Sequence, residues 1–414
     1  RKDLLTLIDY HFEHFIINDK YELLCVAPST LITHNRLDLA IKVLYLELKR
    51  FDNLLFVHDL YRNHIKAFSM GSYTEPGNNN KNSLQKYLND FDCIYRDINE
   101  HGIDRSKSVI PLSVSGSIAN GAHRVASAYV ANKTVPVVPI NVPDDKYDFN
   151  FFQQRGMSQS ELETAVTKFI EIAENCYVAL IWPSAQGREQ DIFKIIPNVV
   201  YYSSISLNHN GAHNLLSQVY YQESWLGNKA DNFPGVKNKL VECFKSFDDL
   251  RVVAFQAESI NAVLAMKEGV RELFGIGKHS IHISDTKEEA TRMAKILFNE
   301  NSIHFLNYAN PNKYSSSHKK IELFKSFLNK NGMDINRCVI DSSMVLSLYG
   351  IRECNDIDFL SLDKNIQDED SLIEEHSDEL TFHEESENAL ILDKQFYFYY
   401  EDLKFVSFSQ LYKM

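Results

Sequence analysis

Residues 108–142 read Ser108-Val-Ile-Pro-Leu-Ser-Val-Ser-Gly-Ser-Ile-Ala-Asn-Gly-Ala-His-Arg-Val-Ala-Ser-Ala-Tyr-Val-Ala-Asn-Lys-Thr-Val-Pro-Val-Val-Pro-Ile-Asn-Val142. Val109–Val114 has the pattern of a short strand, and a polar turn after it closes on Asn120-Gly121. A helix is then predicted over Ala122–Ala131 and a second strand over Val135–Val142, a strand–turn–helix–strand unit of the α/β (α+β) class. Gly121 has no Cβ and lets the backbone approach a ligand closely. A helix starting at Ala122 turns its unpaired N–H groups toward whatever sits on Asn120, Gly121 and Ala122. His123 and Arg124 fall in the first turn, where an anion gains from the helix dipole and the open amides. Arg124 adds a planar fork suited to phosphate or carboxylate, and Lys133 offers a further cation just past the helix. The plainer reading has His123 packing or capping the helix start and Arg124 pairing with a surface carboxylate.

Upstream, residues 3–19 read as a helix from the spacing of Leu4, Leu5, Ile8, Phe12, Phe15 and Ile16. Tyr21–Val26 suits a strand, and Thr33 or Asn35 can cap a helix over Leu37–Phe51. Arg36, Asp38 and Lys42 lie near one end of that helix and read as a solvated face rather than a ligand group. Pro76-Gly77 and the run Asn78-Asn-Asn-Lys-Asn82 read as a polar loop before a helix over Ser83–Glu100.

Downstream, Ser158–Asn175 is an amphipathic helix and Cys176–Trp182 an apolar strand that runs into Pro183-Ser-Ala-Gln-Gly-Arg-Glu-Gln-Asp191. Arg188 and Asp191 thus sit at a strand end, where α/β sites gather; an ordinary turn with a capped helix fits as well. After a strand over Val199–Leu207, Asn210-Gly-Ala-His213 repeats the tetrapeptide of 120–123, which sets His209 and His213 at a second strand-to-helix turn. Two such turns can face one ligand, although the flanking residues do not match and support no internal duplication. A strand over Leu250–Gln256 and a helix over Ser259–Phe274 precede Gly275-Ile-Gly-Lys-His-Ser280. This is no P-loop, because Glu272 stands where that motif needs its first glycine. Lys278, His279 and His282 either line a pocket or serve on the surface around a strand at Ile281–Ile283.

Near the C-terminus, a helix over Ser316–Asn331 leads to a strand from Cys338, a Ser342-Ser343 turn, a short helix over Met344–Tyr349 and a strand over Asp356–Leu362. Asp356 and Asp358 are two apart and project from one strand face. Two carboxylates there make a hard oxygen site for Mg²⁺ or Mn²⁺; otherwise they are exposed residues beside Arg352. Residues 363–388 are strongly acidic and read as a solvated loop and helix. Phe396–Tyr400 and Phe405–Phe408 read as closing strands, a hairpin about Glu401-Asp402.

A chain of 414 residues is long for one core, and the pattern divides it into 1–107, 108–300 and 301–414. Its formal charge of −13 opposes a phosphate-tracking surface, so no nucleic acid is expected as a partner. Six scattered cysteines without a CxxC suggest a reducing compartment rather than zinc or disulfides. No 18-residue apolar run predicts a transmembrane helix. The first residues carry neither an initiator Met nor a signal-peptide core, as expected of a piece of a cytoplasmic protein with further domains of the same polypeptide beyond it.

Two local resemblances add to this. Gly121-Ala122-His123-Arg124, between two strands and before an Ala-rich helix, resembles the Gly-x-His/Arg-Arg signature of the ParB/sulfiredoxin fold. That resemblance, over about 35 of 414 residues, implies a mixed-sheet core with helical insertions that holds phosphates of a nucleotide or phosphorylated substrate. Ser342-Ser343 with Asp356-Ile357-Asp358 resembles the nucleotidyltransferase superfamily, whose small-residue turn contacts phosphates and whose Asp-x-Asp strand holds metal. The sequence departs from that family in having Ser342 where glycine is expected, and a third carboxylate is matched only by position, at Asp393 or Asp402.

The combination resembles large multidomain proteins of bacterial capsule and lipopolysaccharide loci. It implies a cytoplasmic transferase, peripheral to the inner membrane at most, that moves a glycosyl or substituted phosphoryl group from a diphosphate-activated sugar or nucleotide donor to a saccharide acceptor. On this reading His123, Arg124 and Asp191 are catalytic. Asn120, Gly121, Ala122, Lys133, Arg188, His213, Ser342 and Ser343 bind substrate or phosphate, and Asp356 and Asp358 hold Mg²⁺. The alternatives are a ParB/sulfiredoxin-type small-molecule kinase and a nucleotide-gated binding module; a DNA-partition role is opposed by the charge.

Overall fold

The alternation of apolar strands with Ala- and Leu-rich helices produces a mixed α/β chain in the computed structural model, which describes residues 2–74, 81–364, 366 and 370–413. The first sheet joins β1 (Leu24–Val26), β2 (Ile110–Leu112) and β3 (Val135–Pro139) in the order β1-β3-β2. β2 and β3 are parallel and connected through the helix Ala122–Val130, whereas β1 runs antiparallel to β3. Pro136 and Pro139 lie in the central strand, remove two backbone donors, and keep the ladder short.

The second sheet is antiparallel throughout: β4 (Cys176–Ile181), β5 (Val199–Ile205), β6 (Leu250–Gln256) and β7 (Ile281–Ile283), in the order β5-β6-β4-β7. β4 and β6 are apolar on both faces because both faces are covered. Val178, Leu180, Val252 and Ala254 join the main core, while Ala179, Ile181, Val253 and Phe255 join a smaller one. The third sheet holds β8 (Cys338–Asp341), β9 (Ile357–Ser361), β10 (Ile373–Glu375), β11 (Tyr397–Tyr400) and β12 (Leu403–Val406), ordered β10-β9-β8-β12-β11. The hairpin about Glu401-Asp402 is present, with φ of 49° and 67° at its two central residues, as a two-residue turn between right-twisted strands requires.

The main core takes residues from the helix Leu37–Leu48 through the helix Lys287–Leu297, so the residues before 108 and those after it share one apolar interior. The third sheet packs its own core with the helix Ser315–Lys330 around Phe324, Phe359 and Phe398. The helix Glu300–Tyr308 links the two parts: Asn214 Nδ2 donates to the carbonyls of Leu306 (2.8 Å) and Ala309 (3.0 Å) at its end.

Two stretches differ from expectation. Residues 3–19 form only Lys2–Leu5 and a 3₁₀ turn Tyr10–Phe15, because the Asp9 carboxylate accepts from the His11 amide at 3.1 Å and holds the chain in a local turn. A helix over Leu55–Phe68 was not anticipated, although Val57, Leu60, Tyr61, His64 and Ile65 mark its buried stripe. The expected polar loop at 76–82 lies outside the described residues except for Lys81 and Asn82, as do Asp368 and Glu369 of the acidic stretch.

Candidate functional site

β2 delivers the chain to Asn120, whose Oδ1 accepts from the Gly121 amide at 2.5 Å. Gly121 adopts φ of +91°, the left-handed region that favours glycine, and a Cβ there would lie 2.3 Å from Ile110 Cδ1. The helix Ala122–Val130 begins here without a side-chain cap, so its first amides are left to other acceptors. The residues of this helix start, Asn120, Gly121, Ala122 and His123, line a cavity of about 450 Å³.

The opposite wall comes from the helices Leu37–Leu48 and Leu55–Phe68 and carries charge that the sequence did not reveal. Arg36, Asp38 and Lys42, read above as a solvated face, are 3 %, 0 % and 3 % exposed. Arg36 grips Asp38 through Nε (2.8 Å) and Nη2 (2.9 Å), and its Nη1 donates to the Ile118 carbonyl at 2.5 Å. Lys42 Nζ donates to Asp38 at 2.9 Å and meets His64 Nε2 at 3.2 Å. Each group is tolerable inside only because the others are there. Burial alone would raise the Asp38 carboxyl, but the Arg36 and Lys42 charges hold it far below the usual carboxylate range. Burial pulls the Lys42 ammonium down against the attraction of Asp38. His64 is fully buried and kept neutral by burial and by Lys42, and its Nδ1 has no hydrogen-bond partner.

His123 completes the wall. Its Nε2 lies 2.9 Å from the Tyr61 hydroxyl, and burial, followed by the Lys42 charge, keeps the ring neutral. Arg36 commits Nε, Nη1 and Nη2 to Asp38 and the Ile118 carbonyl, and the other cations that line the cavity are Lys42 and Arg155. Arg155 is exposed beside the Phe151 ring and lines the same cavity. Aromatic rings of Phe68, Tyr87, Tyr147 and Phe151 supply the apolar surface.

Other residues singled out from the sequence go elsewhere. Arg124 points away from this cavity: it donates to Ser108 Oγ, feels Asp9, and packs under Gly121. Helical geometry turns successive side chains by about 100°, and here it sets His123 beside Tyr61 and Arg124 beside Ser108. Lys133 sits at the far end of the same helix. Arg188 and Asp191 bond each other at 3.1 Å, with Lys194 also on Asp191, on the surface beside the second sheet. The second Asn-Gly-Ala-His lies inside the helix His209–Val219, capped by Asn208, where Gly211 packs on Asn307. The same four residues thus hold the cap at 120–123 and the first turn of a helix already begun at 210–213, and His213 does not join His123 at the cavity.

The chain matches no known family model, no curated protein and no solved structure.

The C-terminal constellation repeats the first turn's design in part. Asp341 ends β8 and accepts from the Ser342 amide at 2.6 Å, and Ser342 takes φ of +54°, supplying with a serine the conformation expected of glycine. Asp341 and Asp358 are paired across β8 and β9. This turn is closed, however: His383 Nε2 bonds Asp341 Oδ2 at 2.7 Å with both side chains buried, and His376 Nε2 holds Asp358 Oδ1 at 3.3 Å. Ser343 Oγ reaches Asp356 Oδ1 at 3.5 Å. Burial, with Asp356 and Asp341 adding to it, raises the Asp358 carboxyl against the pull of His376. Among the described residues no group of three His, Cys, Asp or Glu side chains forms a metal cradle. Two carboxylates already engaged by His376 and Ser343 do not fit the Mg²⁺ site expected at Asp356 and Asp358, and no step is routed through a metal.

Proposed function

We propose that the cavity between Lys42 and His123 binds the phosphate of an activated donor, and that the protein transfers the attached glycosyl group to a saccharide acceptor of surface-polysaccharide synthesis. The observation that carries this reading is the meeting of a cation in a buried pocket with an uncapped helix start whose glycine cannot bear a Cβ. Lys42 keeps one Nζ–H beyond its bonds to Asp38 and His64. With Arg155 and the Ala122 and His123 amides, it supplies donors for phosphate oxygens. The cations first assigned to this task, Arg124, Lys133 and Arg188, give way to Lys42 and Arg155.

In the transfer, the acceptor hydroxyl oxygen bonds to the anomeric carbon as the carbon–oxygen bond to the diphosphate breaks. The bonding pair leaves on the phosphate oxygen, where Lys42 and the amides stabilise it. His123 is neutral, and with its Nε2–H donating to the Tyr61 oxygen its Nδ1 takes the hydroxyl proton. A panel of nucleotide sugars and sugar diphosphates tests this, with release of the diphosphate as the readout. The reading expects release with at least one donor and its loss in His123→Ala. Turnover of ATP alone would replace it with a small-molecule kinase, and ligand binding without turnover with a nucleotide-gated module.

A further inference from the structure

A second cleft, about 890 Å³, opens beside β7, far larger than the cavity at His123. Its walls are the segment Tyr220–Trp225 and the helices Val236–Cys243, Ile260–Phe274 and Lys287–Leu297. Lys239, Arg271 and Lys278 converge at one end. Lys239 Nζ donates to the Lys278 carbonyl at 3.0 Å, and neither lysine forms an ion pair with a carboxylate among the described residues. Burial, then the neighbouring Lys278 and Arg271 charges, lowers the Lys239 ammonium, although the Cys243 thiol opposes this. Arg271 Nε and His279 Nδ1 are buried without hydrogen-bond partners. Arg271 Nη1 pairs with Glu268 at 2.5 Å, so Lys239 and Lys278 are the cations here without a carboxylate among the described residues, and in a chain of net charge −13 they are a stored demand for an anion.

The rest of the cleft narrows the class. Trp225 is 43 % exposed and Tyr221 45 % exposed, and Arg292 stacks on Tyr221 with its guanidinium carbon 4.7 Å from the ring centroid. Five carboxylates share the cleft with its five lysines and arginines, and two of them, Glu223 and Glu288, make no ion pair among the described residues. A ligand dense in phosphate, such as a polynucleotide, would meet those carboxylates. A saccharide carrying a scattered negative charge would not: its hydroxyls would donate to Glu223 and Glu288, its ring faces would lie on Trp225, and its anionic group would reach Lys239 and Lys278.

We infer that this cleft is a binding site for an anionic oligosaccharide. It rests on the transferase reading only in taking that saccharide as the acceptor; the site itself stands on its own residues. The test is titration calorimetry of the full chain with a hyaluronate hexasaccharide, a cellohexaose of equal length and a short oligonucleotide. The uronate-bearing hexasaccharide is expected to bind best and to weaken as salt is added. Lys239→Met and Lys278→Ser should each weaken it roughly tenfold, the loss of one charge-assisted hydrogen bond, and Trp225→Ala should weaken it further in a chain whose melting profile is kept. Lys278 is exposed, so its variant reports binding even if the others disturb folding. Equal affinity for cellohexaose, preference for the oligonucleotide, binding indifferent to both lysine variants, or no binding would each overturn the inference. A donor titration on the same preparation separates this failure from failure of the His123 reading.

Discussion

The turns at Asn120-Gly121 and Asp341-Ser342 are built alike and end differently. Each follows a strand, folds the preceding side chain back onto a backbone amide at 2.5 or 2.6 Å, and starts a helix with a left-handed residue. At the first, the helices Leu37–Leu48 and Leu55–Phe68 stand back and leave a cavity with Lys42 in its wall. At the second, His383 bonds Asp341 and His376 bonds Asp358, so the carboxylates beside the turn are engaged by the protein itself. A local motif therefore sets the conformation of a phosphate-type turn, but the elements packed around it decide whether anything can enter.

The buried carboxylate beside the first turn tests the contrast most strongly. Asp38→Asn leaves Arg36 and Lys42 buried without their partner, and unfolding titration should show a loss of about 3–5 kcal/mol. The sign follows from linkage. The Asp38 carboxyl is depressed in the fold, so its contribution is full above the unfolded value near 3.8 and fades as the pH falls below it. A loss within ±0.5 kcal/mol would mean that the triad is not the wall's support.

Gly121→Ala puts a methyl against Ile110 and forces a positive φ, which should cost about 2–4 kcal/mol in denaturant titration. Ser342→Gly should do the reverse at the matching place and stabilise by about 0.5–1 kcal/mol, because serine bears the left-handed strain and glycine does not. Equal signs in the two variants would break the parallel between the turns. The smallest effect belongs to Asp358. Its carboxyl is raised in the fold, so its contribution is full below about pH 3.8 and is lost as the pH rises through the folded value. Asp358→Asn should remove that loss, leaving a variant whose melting temperature at pH 7 is equal to or above the parent's; a clear fall would show that the ionised carboxylate supports the fold.

Much of this framework was legible beforehand. The strand–turn–helix–strand at 108–142, the apolar strands β4, β6 and β7, and the hairpin at Glu401-Asp402 follow from local pattern, and there the pattern and the packing agree. The wall of the cavity was not legible, because its residues balance one another across distance. Asp38 is tolerable inside only with Arg36 and Lys42 around it, and Lys42 meets His64 on the separate helix Leu55–Phe68. The stripe Val57, Leu60, Tyr61, His64 and Ile65 was the available signal. Arg124 lies outside the cavity lining for another reason: a motif names neighbouring residues, while the helix turns them to different sides. The repeated Asn-Gly-Ala-His shows the same limit, since the strand before it and the cap at Asn208 fix its conformation more than its own four residues do.

The central claim, that the Lys42–His123 cavity takes a phosphate-activated donor, is tested most directly by the melting temperature of the full chain against nucleotide sugars and sugar diphosphates. A donor present at 100 times its dissociation constant adds about 2.7 kcal/mol to stability, so the account predicts a clear rise. The rise should vanish in Lys42→Met and persist in Ser342→Gly. No rise with any phosphate compound, or a rise that Lys42→Met leaves intact, would contradict it.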